Sequence, residues 1–216
     1  MILESFPVGP LACNCVVLGD ESTREALVID PGDEGEKIDD VLDHYRLDLK
    51  HILHTHGHID HILAADHLRK RGARVCIHEA DRFLWDGIQM QASFLGIHAS
   101  PAGRIDQYLK EGDTIRFGER RVKVIETPGH TPGSICLLLE GTPHMLFSGD
   151  TLFQQGIGRT DLWGGSYSGI LRSIRDRLFT LDEETFVHPG HGPATTIGDE
   201  KQSNPFLPDF ARLPDV

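Results

Sequence analysis

Residues 54–61 read HTHGHIDH, a stretch in which four of eight positions are histidine and one is aspartate. The five residues before it, LKHIL, have the pattern of a buried strand, and the residues after it predict a helix. His56 and His58 lie two positions apart at the end of that strand, so we expect their side chains to project to the same side. Asp60 and His61 fall where the helix begins. The stretch therefore predicts a cluster of imidazole and carboxylate groups between a strand and a helix.

Three further candidate ligands each follow a later apolar run. Because strand ends converge at one edge of a sheet, we expect them to join the first cluster in a single metal site. Neutral imidazoles and carboxylates suit Zn²⁺, Fe²⁺ or Mn²⁺, and the absence of a cysteine ligand weakens exclusive selection of zinc. Neighbouring glycines allow the backbone to approach closely. The predicted metal ligands are His56, His58, Asp60, His61, His130, Asp150 and His191.

The other histidines carry weaker predictions. His54 and His188 each neighbour a predicted ligand, and we expect them to hydrogen-bond rather than to bind metal. The remaining six have no spacing that indicates a site, and we interpret them as ordinary surface or core residues. They are His44, His51, His67, His78, His98 and His144.

Strand-like runs occur in both halves of the chain, with helical patterns between them. This order predicts an α/β fold of two sheets packed face to face and covered by helices. A chain of 216 residues with no long linker suits a single domain over residues 1–216. We predict one helix over residues 60–72, another over 167–178, and a short closing segment after the last strand.

Composition narrows the classes of partner and location. Lys and Arg total 21 against 33 Asp and Glu, a net charge of −12, which argues against binding to a nucleic-acid backbone. The sequence shows no secretory signal pattern and no apolar stretch of membrane-spanning length, so we expect a cytoplasmic protein that binds no membrane. The four cysteines are too scattered for a disulfide framework, and we expect buried thiols.

The motif THGHIDH, together with the later His, Asp and His, resembles the metallo-β-lactamase superfamily. That resemblance covers almost the whole chain and implies a four-layer αββα sandwich with two divalent metal ions at one edge, most often Zn²⁺. It assigns three histidines to one metal site and an aspartate with two histidines to the other. Asp150 matches the carboxylate that bridges the two ions. The superfamily's β-lactamases usually have Cys at that position and lack an equivalent of His61, so we do not expect an antibiotic hydrolase.

Within the superfamily, SGDTLFQQGIGRTD (148–161) and GDEKQSNPFL (198–207) resemble glyoxalase II, the hydroxyacylglutathione hydrolases, and especially their short bacterial relatives. The resemblance implies hydrolysis of thioesters such as S-D-lactoylglutathione by a hydroxide shared between the two metals. The longer enzymes carry a C-terminal helical region that contacts glutathione, and a Tyr where this chain has Pro193. About 25 residues follow His191 here, so we expect no separate helical domain.

The same resemblance suggests roles for individual residues. Asp60 and Asp150 are the predicted catalytic carboxylates, with Asp60 both binding metal and orienting the hydroxide. Arg159 falls where glyoxalase II places a cation that meets a glutathione carboxylate, although an ion pair with Asp161 is the structural alternative. Tyr167 is a second candidate substrate contact, with simple packing as its alternative. The oligomeric state stays open.

Three other activities remain as alternatives. Persulfide dioxygenases share the HxHxDH phrase and a GRTD segment, but they use one Fe²⁺ held by the equivalents of His56, His130 and Asp150. Their usual Cys-Gly-Arg before TD differs from Gly-Ile-Gly-Arg in this chain, which favours the hydrolase. Lactonase activity is the second alternative. A nuclease is disfavoured by the negative charge, and a non-catalytic metal-binding module by the open Asp-bridged pair that the resemblance implies.

Overall fold

The computed structural model of the chain describes residues 1–141 and 143–213. Its first sheet has the strand order β1-β2-β3-β4-β5-β6, in which β1, β2 and β3 pair antiparallel and the later neighbours pair parallel. These strands are β1 (Ile2–Val8), β2 (Cys13–Gly19), β3 (Glu25–Ile29), β4 (Asp48–Leu53), β5 (Arg74–His78) and β6 (Gln107–Leu109).

The second sheet has the order β14-β13-β10-β9-β8-β7, and a small hairpin, β11 with β12, lies outside both sheets. Only β10 and β13 pair parallel in it. The strands are β7 (Thr114–Phe117), β8 (Arg120–Glu126), β9 (Ile135–Leu139), β10 (Met145–Gly149), β11 (Leu152–Phe153), β12 (Gly156–Ile157), β13 (Phe186–Pro189) and β14 (Thr195–Thr196).

Helices cover the outer face of each sheet. Those of the first half are α1 (Gly35–His44), α2 (Ile59–Ile62), α3 (Ala65–Arg69), α4 (Arg82–Asp86) and α5 (Ile88–Leu95), with a 3₁₀ turn at Glu79–Asp81. Those of the second half are α6 (Tyr167–Ser173), which continues into a π-helical turn at Ile174–Leu178, then α7 (Ile197–Ser203) and α8 (Leu207–Arg212). None of the helices in the described ranges has the length and apolar character to cross a membrane.

Both sheets are buried on both faces, as the strand residues show. Val16 and Leu18 of β2 join the apolar core between the sheets, whereas Val17 joins the core under α1 to α5. In β9, Leu137 faces the inter-sheet core and Cys136 joins the core under α6 to α8. Three apolar layers between four layers of secondary structure make the fold an αββα sandwich, which confirms the predicted fold class.

The strand directions explain where the site lies. Strands β3 and β4 run parallel, and so do β10 and β13. Strand β8 runs in the same direction as β10 because both pair antiparallel with β9. The loops that follow β4, β8, β10 and β13 carry the predicted ligands, and they meet at one edge of the sandwich.

The predicted helix over residues 60–72 is instead two short helices, α2 and α3. The backbone N–H of Ala64 donates to the carbonyl of Pro31 at 2.9 Å, in the loop after β3. That tertiary bond takes the place of an intrahelical one, and it interrupts the helix between Ile62 and Ala65. The sequence pattern did not indicate β6, the β11–β12 hairpin, β14 or the two helices after His191, which the structure adds.

The helix predicted over residues 167–178 is present, with its last five residues in the wider π-helical turn. Helix α7 is held by Glu200, a fully buried carboxylate that accepts from the hydroxyl of Thr195, the backbone N–H of Gln155 and the side chain of Asn204. All four cysteines are buried and free, as predicted.

Candidate metal centre

Three buried histidines form the first donor cluster, which we call the histidine group: His56, His58 and His130. The Nε2 atom of His130 lies 3.2 Å from Nε2 of His56 and 2.9 Å from Nδ1 of His58. One ligand atom from each lies within 4.8 Å of the others. The loops after β4 and β8 supply these residues, so the histidine group joins the two sheets.

A second cluster, the mixed group, consists of Asp60, His61 and His191. Asp60 Oδ2 lies 3.2 Å from Nε2 of His191 and 3.7 Å from Nε2 of His61, and the two imidazole nitrogens are 3.3 Å apart. His61 is fully buried, whereas the side chains of Asp60 and His191 are 20% and 27% exposed. The mixed group therefore lies nearer the surface than the histidine group.

Asp150 lies between the two groups. Its Oδ2 is 3.6 Å from Nε2 of His130 and 3.7 Å from Nε2 of His191, and its Oδ1 is 3.6 Å from Nε2 of His61. The buried Oδ1 has no hydrogen-bond partner among the described residues. With Asp150, the structure brings all seven predicted ligands together at one edge of the sandwich. Their assignment as metal ligands remains a prediction.

Two glycines make this close approach possible. A Cβ atom on Gly190 would lie 2.3 Å from Asp150 Oδ1 and 2.8 Å from the ring of His61. Gly149 has a left-handed φ of 48°, and a Cβ there would lie 2.3 Å from the Thr55 hydroxyl. Any side chain at either position would push the two ligand-bearing loops apart.

Hydrogen bonds on the outer side of the rings determine which nitrogen carries the proton. His130 Nδ1 lies 2.7 Å from the carbonyl oxygen of Arg159, which can only accept, so Nδ1 holds the proton. His61 Nδ1 lies 3.1 Å from Oδ2 of Asp30, a carboxylate, and holds its proton for the same reason. When a metal binds at Nε2, that nitrogen of each ring therefore offers its lone pair to the inner side of the site.

His56 follows the same rule through a relay. The hydroxyl of Thr55 donates to Asp30 Oδ2 at 2.6 Å, so toward His56 Nδ1, 3.1 Å away, it can only accept. The inward Nε2 lone pairs of His56 and His130 then face each other across 3.2 Å with no proton between them. Lone pairs in that arrangement repel, and the unpartnered Asp150 oxygen lies beside them as a further donor atom. A divalent cation relieves the repulsion, so the residues fit the metal ions that the fold implies.

The two groups differ in electrostatics. Burial and the neighbouring histidines lower the pKa of His58 to about 3 and hold that of His56 well below its usual value. In the mixed group, burial opposes ionisation, but His61 and His191 outweigh it and hold the pKa of Asp60 well below its usual range. Burial also opposes protonation of His191, yet Asp60 and Asp150 raise its pKa.

Asp30 was missed by the sequence reasoning. It directly follows β3, adopts a left-handed φ of 50° and is almost fully buried. The Asp30 carboxylate accepts from His61 of the mixed group and from the backbone N–H of Thr55 at 2.8 Å. Because Thr55 contacts His56, one carboxylate orients residues of both groups. The available signal was an Asp directly after the strand EALVI, at the same edge as the ligands.

Asp81 was also missed, and no motif marks it. Its fully buried carboxylate accepts from the N–H of Gly57 at 2.8 Å, the N–H of Gly133 at 2.6 Å and the hydroxyl of Thr131 at 2.7 Å. Gly57 lies between two ligands of the histidine group, and Thr131 follows the third. Asp81 therefore ties the loop after β4 to the loop after β8.

The residues predicted to neighbour the ligands lie as follows. His54 is fully buried, and its Nδ1 lies 3.1 Å from the backbone carbonyl of His61. The ring of His188 stacks on Phe147 with 5.3 Å between centroids, and no recorded hydrogen bond joins it to the described site residues.

A cavity of about 320 Å³ opens beside both groups, and Arg159 lines it. The guanidinium makes two hydrogen bonds to Asp161, Nε to Oδ1 at 2.8 Å and Nη2 to Oδ2 at 2.9 Å, which is the ion pair named as its structural alternative. Tyr167 is not among the described residues that line this cavity. Its hydroxyl donates to Asp209 of α8 at 2.6 Å. Its role as a substrate contact remains a prediction.

Comparison with known proteins identifies relatives over the full length of the chain. The hydroxyacylglutathione hydrolase GloC of Haemophilus influenzae is 38% identical over 210 residues, which cover 96% of this chain and 98% of that protein. The probable metallo-hydrolase YqgX of Bacillus subtilis is 37% identical over 208 residues, which cover 95% of this chain and 97% of that protein.

Solved structures give the same fold. TTHA1623, crystallised in a di-iron-bound form, superimposes with a TM-score of 0.84 and 35% identity over 94% of this chain and all of that one. ETHE1 from Myxococcus xanthus superimposes with a TM-score of 0.77 and 32% identity, over 99% of this chain and 92% of that one. BLEG-1, a B3 metallo-beta-lactamase, superimposes with a TM-score of 0.88 and 37% identity, over 95% of this chain and 99% of that one. Because a β-lactamase is among the similar structures, the expectation that this chain is not an antibiotic hydrolase remains a prediction.

The family comparison accounts for the site as well as the fold. Residues 8–191 match the metallo-beta-lactamase superfamily, a range that begins at the last residue of β1 and ends at the last predicted ligand. That range holds every residue of the histidine group and the mixed group, and Asp150 with them. The chain belongs to the metallo-β-lactamase superfamily.

Proposed function

We propose that this protein is a binuclear metal-dependent hydrolase of thioesters, acting on glutathione-linked acyl groups such as S-D-lactoylglutathione. The full-length similarity to a hydroxyacylglutathione hydrolase supports this activity. The single observation that carries it is the position of Asp150, whose two carboxylate oxygens approach both donor groups. One carboxylate in contact with both groups is what a pair of metal ions that acts as a unit requires.

The histidine group would hold one ion and the mixed group the other, with Asp150 shared. When bound, two divalent ions supply Lewis-acid polarisation of a carbonyl and lower the pKa of a coordinated water toward neutrality. Zinc is our first expectation, and the donor set also suits iron or manganese. His130 and His61 keep their protons at Nδ1 throughout, because Arg159 and Asp30 accept there.

The protein groups around the cavity fit the remaining steps. Asp60 is a partly exposed carboxylate that lines the cavity, so it can orient the attacking water. The leaving group is a thiolate with a pKa near 8.5 in its free thiol, so the reaction needs no strong acid from the protein. The Arg159 guanidinium lies at the rim, where it could meet a carboxylate of the carrier in exchange for Asp161.

The site draws on loops from both sheets, which supports the proposal that residues 1–216 act as a single domain. The decisive experiment combines metal analysis with two assays on the purified protein. We expect two metal ions per chain, release of free thiol from S-D-lactoylglutathione, and loss of that release on chelation. Thiol release that persists without metal would contradict the proposed mechanism.

A glutathione persulfide dioxygenase is the second candidate, and the similarity to ETHE1 over 92% of that chain favours it. The predicted triad for that chemistry is His56, His130 and Asp150, all of which lie in the site. One iron per chain together with oxygen uptake on glutathione persulfide, and no thiol release from the thioester, would support the dioxygenase over the hydrolase.

A further inference from the structure

One side of the cavity beside the two donor groups is apolar and open. Phe94, Leu95 and Leu11 are 67%, 42% and 47% exposed, although large apolar side chains usually lie in the interior. Phe94 packs edge-on against Trp163 with 5.5 Å between ring centroids, and Trp163 in turn lies 6.2 Å from the ring of His58. The apolar wall, as we call it, consists of Leu11, Phe94, Leu95, Leu162 and Trp163.

Few polar groups in the same lining can meet a bound acyl chain. Apart from the candidate ligands, the polar groups that line the described cavity are the side chains of Gln91 and Arg159 and the indole N–H of Trp163. Gln91 accepts from the N–H of Ile59 at 3.1 Å and donates to the carbonyls of Gly57 and Leu84 at 3.0 and 2.9 Å. Arg159 uses two of its five N–H donors on Asp161. Against the apolar wall, a hydroxyl group on a bound acyl chain meets a single polar group, the indole N–H of Trp163, and otherwise loses water without replacement, which costs affinity.

Charge assigns the two halves of a glutathione thioester to different parts of this cavity. The tripeptide half carries carboxylates, which cannot be buried against apolar side chains, and Arg159 is the cation that lines the cavity. The apolar wall is then left for the acyl half. A wall of two aromatic and three leucine side chains suits an aliphatic or aromatic acyl group.

We propose that the preferred substrates are thioesters with a bulky apolar acyl group, which packs against Phe94 and Trp163, rather than small hydroxyacyl groups such as lactoyl. This inference rests on the proposed thioesterase function and specifies its substrate class. The reaction is hydrolysis: the acyl C–S bond breaks, a C–O bond to water forms, and the products are a carboxylic acid and the thiol. It needs no oxidant or reductant.

The test is a series of S-acylglutathiones in which only the acyl group changes, each rate divided by its rate of uncatalysed hydrolysis by hydroxide. From acetyl through butyryl to hexanoyl, we expect kcat/KM to rise about threefold to fourfold per added methylene until the cavity is filled. The sharpest pair is isobutyryl against D-lactoyl, in which a methyl group replaces the hydroxyl at nearly equal size. Isobutyryl should be the better substrate of the two.

Phe94→Ala tests the wall itself. It should lower kcat/KM for hexanoyl about tenfold more than for acetyl, and Phe94→Leu should restore most of that difference. Phe186 is a matched control, because it is an exposed phenylalanine in β13 that does not line the cavity. Phe186→Ala should leave the acyl series unchanged.

The outcomes separate this inference from the proposed function. If acetyl and lactoyl thioesters are cleaved as well as hexanoyl, the protein is a thioesterase and the apolar wall serves another occupant, which overturns the inference. An equal loss on every acyl group in Phe94→Ala would do the same, because it indicates a structural role.

Direct binding of product acids keeps the inference testable without turnover. Hexanoate should change the tryptophan fluorescence at lower concentration than D-lactate, and Trp163→Phe should abolish the response. If no thioester is cleaved yet hexanoate binds more tightly, the proposed function fails and the apolar ligand preference stands. Equal binding of the two acids would refute the preference regardless of hydrolysis.

Discussion

The histidine group and the mixed group lie side by side, yet they are built differently. The histidine group consists of imidazole side chains only, all buried, and its loops are tied together by Asp81. The mixed group includes a carboxylate and is partly open to the cavity, through the exposed edges of Asp60 and His191. Asn14 supports its outer loop by donating to the carbonyls of Pro189 and Gly192 at 3.0 and 2.9 Å.

This difference indicates a division of labour. Burial and the neighbouring histidines lower the pKa values of His56 and His58, so both rings are uncharged near neutral pH and one nitrogen of each keeps its lone pair. The mixed group brings a negative charge to the cavity, where the attacking water of the proposed hydrolysis would need an acceptor. Asp150 and Asp30 connect the two groups, whereas Asp81 contacts only the loops of the histidine group. Substitutions at these positions can therefore affect the groups together or one at a time.

The largest effect should come from Asp150→Asn, because the variant removes the negative charge that both groups share. We expect metal content to fall in both sites and thioester hydrolysis to fall by more than about 100-fold. Metal analysis of the purified variant checks this. Two ions per chain at full occupancy would show that Asp150 does not bridge the groups.

His56→Ala and His191→Ala should separate the groups, since each removes one ligand from a different cluster. We expect each to weaken one metal site by more than about 100-fold and the other site less. His54→Ala is the control, because His54 packs against Trp85 and reaches the mixed group through the backbone carbonyl of His61. If His54→Ala empties a site as fully as His56→Ala, the ligand assignment is wrong.

Asp30 and Asp81 test the supporting hydrogen bonds. Substitution of carboxylates that orient metal ligands typically costs about 10–100-fold in affinity. Asp30→Ala should weaken both sites, because Asp30 orients His61 directly and His56 through Thr55. Asp81→Ala should weaken only the histidine group. Competition with a chromogenic chelator measures the metal affinity of both sites. If the two variants weaken both sites equally, Asp30 and Asp81 do not differ in which group they support.

The smallest effect is expected at Arg159, because its guanidinium is 59% exposed and already paired with Asp161. Arg159→Ala should raise KM for an acylglutathione about 3–10-fold with kcat little changed, and should be nearly silent toward an uncharged thioester. Asp161→Asn releases the guanidinium and should lower or preserve KM. Equal increases in both variants, on both substrates, would mean that the pair only supports the loop.

The interruption between α2 and α3 illustrates why some local structure escaped prediction. Residues 60–72 have a helical pattern, but the bond from Ala64 to Pro31 comes from a loop about thirty residues away. The helices after His191 depend in the same way on Glu200, which accepts from the backbone N–H of Gln155, about 45 residues earlier in the chain. Local patterns do not encode such distant partners, so tertiary contacts override propensity there.

The sequence by itself determined the αββα sandwich and the set of seven candidate ligands. Both depend on local patterns, namely alternating apolar strands and ligand residues that directly follow them, and parallel strand ends must share an edge. Only the tertiary structure decided which nitrogen of each ring faces inward and that Asp30 and Asp81 support the ligand loops. Those features depend on hydrogen bonds between residues that are distant in the chain, and the packing of the two sheets alone brings such residues together.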